Sequence, residues 1–116
     1  MTDSIRVTID RRAGLGVVYP QGYINDAGRA EVSKAAYRLL GEGYKVLLFN
    51  LAETKIVDEY GTSELIEIIE KVIDAGGKLG FCSLTSGIDK SFRDQGLDAY
   101  APIFEDEKTA VAQLKA

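Results

Sequence analysis

The chain contains no histidine. That absence excludes Ser-His-Asp and Cys-His catalysis, and every metal site that needs an imidazole. Cysteine occurs once, at Cys82, so no internal disulfide can form. Cys82 lies in Leu79-Gly80-Phe81-Cys82-Ser83-Leu84, a pattern that reads as a buried strand, where a thiol behaves as a small hydrophobe. Long apolar runs are missing as well. A run such as Val46–Phe49 is far too short to cross a bilayer, so no membrane insertion is expected. Neither GxxxxGK(S/T) nor GxGxxG occurs, which removes the two commonest phosphate-cradling loops. Basic residues are in the minority, 14 against 18 acidic, for a net charge of −4. A nucleic-acid binder would instead show a basic stripe, so no nucleic acid is expected. The opening Met-Thr-Asp-Ser-Ile has neither the cationic nor the apolar region of a signal peptide, and a cytoplasmic location is the expectation.

What is present fits one globular domain over residues 1–116, with 46% hydrophobic and 28% charged residues. No repeat, low-complexity tract or Pro/Gly-rich linker divides it. Ile5, Val7 and Ile9 alternate with Arg6 and Thr8, predicting a strand with one buried face. Ala13-Gly14 supplies a turn into a second strand, Leu15–Tyr19. Pro20 should interrupt that strand before Gly22-Tyr23-Ile24 continues it, and Asn25 or Asp26 should cap the helix that follows. Val32, Ala35, Ala36, Leu39 and Leu40 form one helical stripe, closed by Gly41 and Gly43. Val46–Phe49 has no alternation and reads as a central strand covered on both faces. A second helix should bury Leu65, Ile68, Ile69, Val72 and Ile73. Lys78–Leu84 returns as a parallel strand, Ser86 is a cap candidate for a short helix with Ile88 and Phe92, and Tyr100–Phe104 suits an edge strand. Asp106 should cap a last helix. The sum is an α/β domain with a mixed, mostly parallel sheet of four to five strands and four helices mainly on one side.

Several segments in this order resemble STAS domains, the family of the anti-sigma factor antagonists. Gly22-Tyr23-Ile24-Asn25 is similar to the family's Gly-x-Leu-Asp, and Asn50-Leu51 to the (Asp/Asn)-Leu that closes its central strand. Asp58 and Gly61 then fall on the family's Asp-Ser-Ser-Gly, which here reads Asp58-Glu59-Tyr60-Gly61. Ala75–Leu79, Gly96-Leu97-Asp98 and residues 103–110 resemble its later segments. The resemblance implies a STAS-like domain that binds a partner protein, an anti-sigma factor with serine kinase activity. It implies no cofactor, no metal and no catalysis, and a monomer or weak dimer. It also implies that the binding surface combines Asn25 and Asp26 with Asp58, Glu59, Tyr60, Gly61, Thr62 and Ser63. The family's phosphorylated serine position is taken by Tyr60, whose phenol reaches several Å further out than a serine hydroxyl. Thr62 and Ser63 are therefore the candidate phosphoacceptors.

Other readings stay open at this level. Asp58 suits a helix cap as well as a docking residue, Gly61 suits close helix–strand packing, and Tyr60 suits an ordinary half-buried aromatic. The chain could serve as the STAS subunit of a lipid transporter or stress-signalling assembly, using its helical faces. An Mg²⁺ enzyme built on Asp58 and Glu59 lacks a base, a nucleophile and a phosphate cradle. A receiver domain lacks its acidic pair after the first strand and its lysine after the last.

Overall fold

The structure, a computed structural model, describes residues 5–115. In chain order it contains β1 (Ile5–Arg12), β2 (Leu15–Ile24), α1 (Arg29–Gly41), β3 (Val46–Asn50), β4 (Thr54–Val57) and α2 (Glu59–Asp74). There follow β5 (Lys78–Cys82), α3 (Ser86–Asp94), a 3-10 turn at Leu97–Ala99, β6 (Ile103–Phe104) and α4 (Glu107–Leu114). The six-stranded sheet runs β1-β2-β3-β5-β6, with β4 beside β2. Among the described residues only the β1–β2 pair is antiparallel. The mixed, mostly parallel α/β sheet is the one expected, with one strand more than the four to five foreseen.

The extra strand is β4. Its neighbour β3 pairs with β2 only at Gly16–Val18, whereas β4 takes over at Gly22–Ile24 after a register shift. Only Thr54 of β4 is buried, so the segment carries no apolar run to betray it. Pro20 also departs from expectation, because β2 passes through it unbroken. It sits between the end of the β3 ladder and the start of the β4 ladder, a stretch where β2 has no parallel partner to lose a hydrogen bond. The hydroxyl of Thr54 closes this gap by donating to the Pro20 carbonyl at 2.7 Å.

One face of the sheet holds the larger core. Val18, Leu47, Phe49, Leu79 and Phe81 meet Val32, Ala36 and Leu39 of α1, Leu65, Ile68, Ile69 and Val72 of α2, and Ile88 and Phe92 of α3. Phe81 packs edge-on against Phe92, with ring centroids 5.1 Å apart. Ile73 does not join them and is 49% exposed. It lies about 80° around the helix axis from Leu65, at the margin of the stripe, and the helix turns that margin outward. Gly76, at φ +82, takes the left-handed conformation that ends α2.

Among the described residues the opposite face is covered by α4, where Leu15, Val17, Leu48 and Cys82 pack on Ala110 and Leu114. Four polar groups fasten that helix. Glu107 accepts from Arg12 at 2.6 Å, from Tyr19 at 2.9 Å and from Asn50 at 2.9 Å. Arg12 also reaches Tyr19 at 3.0 Å and Asp10 at 2.9 Å. Asp106 caps α4 as expected, through Thr109 N at 2.8 Å, while α3 is capped one residue before Ser86, by Thr85.

Ile69 fills the space between α2 and the sheet, so Ile69→Ala should cost ~2–5 kcal/mol of a total of about 5–15. An unchanged chemical-denaturation midpoint would refute the packing. Burial pushes the Glu107 carboxyl up, but the hydrogen bonds from Arg12, Asn50 and Tyr19 together bring it below its ordinary value of 4.5. The folded state therefore binds this proton less readily than the unfolded chain. Its contribution is present above pH 4.5 and fades as the pH falls through the lower folded value. Glu107→Gln should lower stability at neutral pH and flatten the loss on acidification, measured by denaturation at pH steps through the acid range.

Candidate functional site

The site forms where the end of β2 meets the start of α2. Asp58 has an extended backbone and donates its N–H to the Ile24 carbonyl at 3.2 Å, which lays the loop against the strand. Its carboxylate oxygen Oδ1 accepts from Tyr60 N and Gly61 N, each at 3.0 Å. Asp58 is thus the N-cap of α2, satisfying two amides that the helix leaves unpaired. Gly61 faces the strand so closely that a Cβ there would overlap the Ile24 carbonyl oxygen and stand 2.9 Å from Ile24 Cγ2. Only glycine lets the helix start this close to β2.

That contact brings the loop after β2 alongside the first turn of α2. Asn25 does not cap α1, whose N-cap is Gly28 without a side-chain hydrogen bond. Its side-chain oxygen instead accepts from Gly28 N at 2.9 Å, and its carbonyl accepts from Arg29 N at 2.8 Å. These bonds fold a turn that leaves Asp26 exposed and starts the helix at Arg29.

Of the residues nominated from sequence, Asp26, Glu59, Tyr60 and Ser63 are exposed, and Asn25 and Asp58 are partly buried. Thr62 is buried, with only 3% of its surface accessible, and does not belong to an exposed patch. It stands three residues before Leu65 and seven before Ile69, on the inward stripe, a signal that its hydroxyl chemistry obscured. Thr62 as an accessible phosphoacceptor is thereby corrected. Tyr60 is 47% exposed, neither a core aromatic nor free.

The residue missed is Arg29. Its guanidinium lies over the Tyr60 ring, 5.6 Å from the centroid. It also pairs with Asp26 at 3.3 Å and approaches Glu64 at 4.0 Å. The i, i+3 spacing of Asp26 and Arg29 was the available hint, but the Tyr60 contact joins separate elements. At an exposed site such a stack contributes ~0.5–1 kcal/mol, enough to orient a ring and too little to stabilise the fold. Around it, Asp26, Asp58, Glu59 and Glu64 present four carboxylates against one cation. The N-terminal end of α2 favours the negative charge of Asp58 and Glu59.

The carboxylate of Asp58 is engaged by the helix amides. Among the described residues no group of three or more Cys, Asp or Glu side chains is placed to hold a metal ion. The Cys82 thiol is pushed up to about 11, first by burial, and stays protonated.

The fold is that of one family. The sequence pattern of the STAS domain matches residues 6–110, and the chain belongs to that family. No curated protein sequence matches it. Among solved structures it is similar to an anti-sigma factor antagonist from Mycobacterium paratuberculosis, with a TM-score of 0.89 at 19% identity, covering 100% of this chain and 98% of that one. A variant of RsbS from Moorella thermoacetica gives a TM-score of 0.79 at 20% identity over 95% of each chain. The Bacillus cell fate determinant SpoIIAA in its phosphorylated form gives 0.71 at 13% identity, over 95% of this chain and 98% of that one. At these identities the likeness is one of fold.

Two substitutions separate the cap from the close contact. Asp58→Ala should cost ~0.5–2 kcal/mol through the lost cap. Gly61→Ala should cost at least as much, ~1–3 kcal/mol or more, because the Ile24 backbone must move. Thermal midpoints measure both, and a neutral Gly61→Ala would refute the contact.

Proposed function

We propose that this chain is a non-enzymatic regulatory module, an anti-sigma factor antagonist that works by partner switching in the cytoplasm. The observation that carries the reading is the exposed junction of Asp26, Glu59, Tyr60 and Ser63 on a helix start that Asp58 and Gly61 hold rigid. Its partner is an anti-sigma factor with serine kinase activity. The outward face of α2 extends the surface, since Ile66 and Ile73 follow Glu59 and Ser63 at helical spacing and are both exposed. An apolar stripe edged by acidic side chains fits a partner with an apolar and basic surface.

The switch differs from the family's. Tyr60 holds the usual phosphoserine position, and its phenol is stacked under Arg29 rather than poised for a serine kinase. Ser63 is the remaining exposed hydroxyl in this part of α2. A phosphate there would add about −1.5 to −2 charge and three acceptor oxygens, one helical turn from Glu59 and from Glu67. That concentration of negative charge would repel a partner that had docked on a moderately acidic surface.

Incubation with the cognate kinase and ATP, followed by phosphosite mapping, tests the switch. Phosphate on Ser63 is the expected result, and phosphate on Tyr60 would overturn the assignment. Titration calorimetry tests the docking surface independently. Tyr60→Ala and Glu59→Lys should each weaken association about tenfold or more, ~1.4 kcal/mol. Unchanged affinity in both would place the interface elsewhere.

A further inference from the structure

β1 forms an edge of the sheet, and among the described residues it pairs only with β2. Its register runs from Ile5↔Gly22 to Arg12↔Leu15 without a shift. Within Ile-Arg-Val-Thr-Ile-Asp-Arg-Arg there is no proline or bulge to blunt the edge, and its charges, Arg6, Asp10, Arg11 and Arg12, are of both signs. Side chains alternate along it. Arg6, Thr8 and Asp10 are exposed, whereas Ile5, Val7 and Ile9 are half-buried on the side of α1. Val7 and Ile9 line an open groove of about 360 Å³ with Glu31, Lys34, Ala35 and Arg38. A strand laid along β1 would cover that groove.

We propose that β1 pairs antiparallel with β1 of a second copy of this chain, about a two-fold axis at Thr8, so that one sheet runs through a homodimer. Self-complementarity identifies the occupant. With Thr8 opposite itself, Arg6 lies opposite Asp10 of the second copy, and the reverse pair repeats the contact. On the other face Val7 lies opposite Ile9 of the second copy. Directly opposed side chains sit about 4.5–5.5 Å apart at Cβ, close enough for both kinds of pair to form. Asp10 spends Oδ2 on Arg12, which leaves Oδ1 for the Arg6 guanidinium. At the ends of the pairing Ile5 lies opposite Arg11 of the second copy. Moving the axis to Ile9 would lose both Arg6–Asp10 pairs and set Arg6 against Arg12, like charges on one face. Pairing along this edge does not depend on the proposed regulatory role.

Sedimentation equilibrium on the whole chain tests the dimer. The mean mass should rise with concentration from 12.6 kDa toward twice that value. Arg6→Asp, which opposes two carboxylates, should raise the dissociation constant at least tenfold. Arg6→Asp combined with Asp10→Arg should restore it. Thr8→Cys should form a covalent dimer on mild oxidation, since the native thiol of Cys82 is buried, whereas Glu70→Cys on exposed α2 should not. A wild-type mass of 12.6 kDa at every concentration would overturn the proposal. So would failure of the charge swap to restore the dimer in a variant whose circular dichroism is native.

Discussion

The arrangement of the candidate surface depends on one steric contact, that of Gly61 against the Ile24 carbonyl. Because no Cβ intervenes, α2 begins directly on the end of β2, and the loop after β2 is drawn to its side. The Asp58 cap then fixes where the helix starts, and hence which residues of the first turn face outward. Exposure of Glu59 and Tyr60, burial of Thr62 and the reach of Arg29 to the Tyr60 ring all follow from that starting point. A larger residue at position 61 would tilt the helix and alter each of them together.

The organisation of the chain was largely legible in its sequence because hydrophobic periodicity reports burial directly. The stripe of α1, the continuous apolar run of β3 and the Asp106 cap were read as they occur. What escaped were features decided between elements. β4 is a strand because β3 does not reach the far half of β2, not because its own residues are apolar. Pro20 is tolerated for the same reason. Ile73 belongs to the helical period, but the neighbouring surface ends before reaching it.

At the site the balance was different. Asp58, Glu59 and Tyr60 stood out through the resemblance to the STAS signature segment, and Asp58 and Gly61 proved to have structural duties whatever else they do. Thr62 was nominated for its hydroxyl although its position in the stripe pointed inward. Arg29 carried no motif, and its importance comes from touching Tyr60 across two elements, which no local pattern encodes. Asn50, attractive as a strand-closing residue, serves the opposite face through Glu107.

The clasp between Arg12 and Glu107 joins residues 95 positions apart, and it has a temporal meaning. During synthesis α4 is the last of these elements to leave the ribosome. Until then Leu15, Val17, Leu48 and the lone thiol of Cys82 stand uncovered on a sheet otherwise able to form. The nascent chain therefore passes through an interval in which that face is adhesive and its thiol oxidisable. Emergence of α4 ends that interval in a single docking step, with Glu107 finding three polar partners already in place.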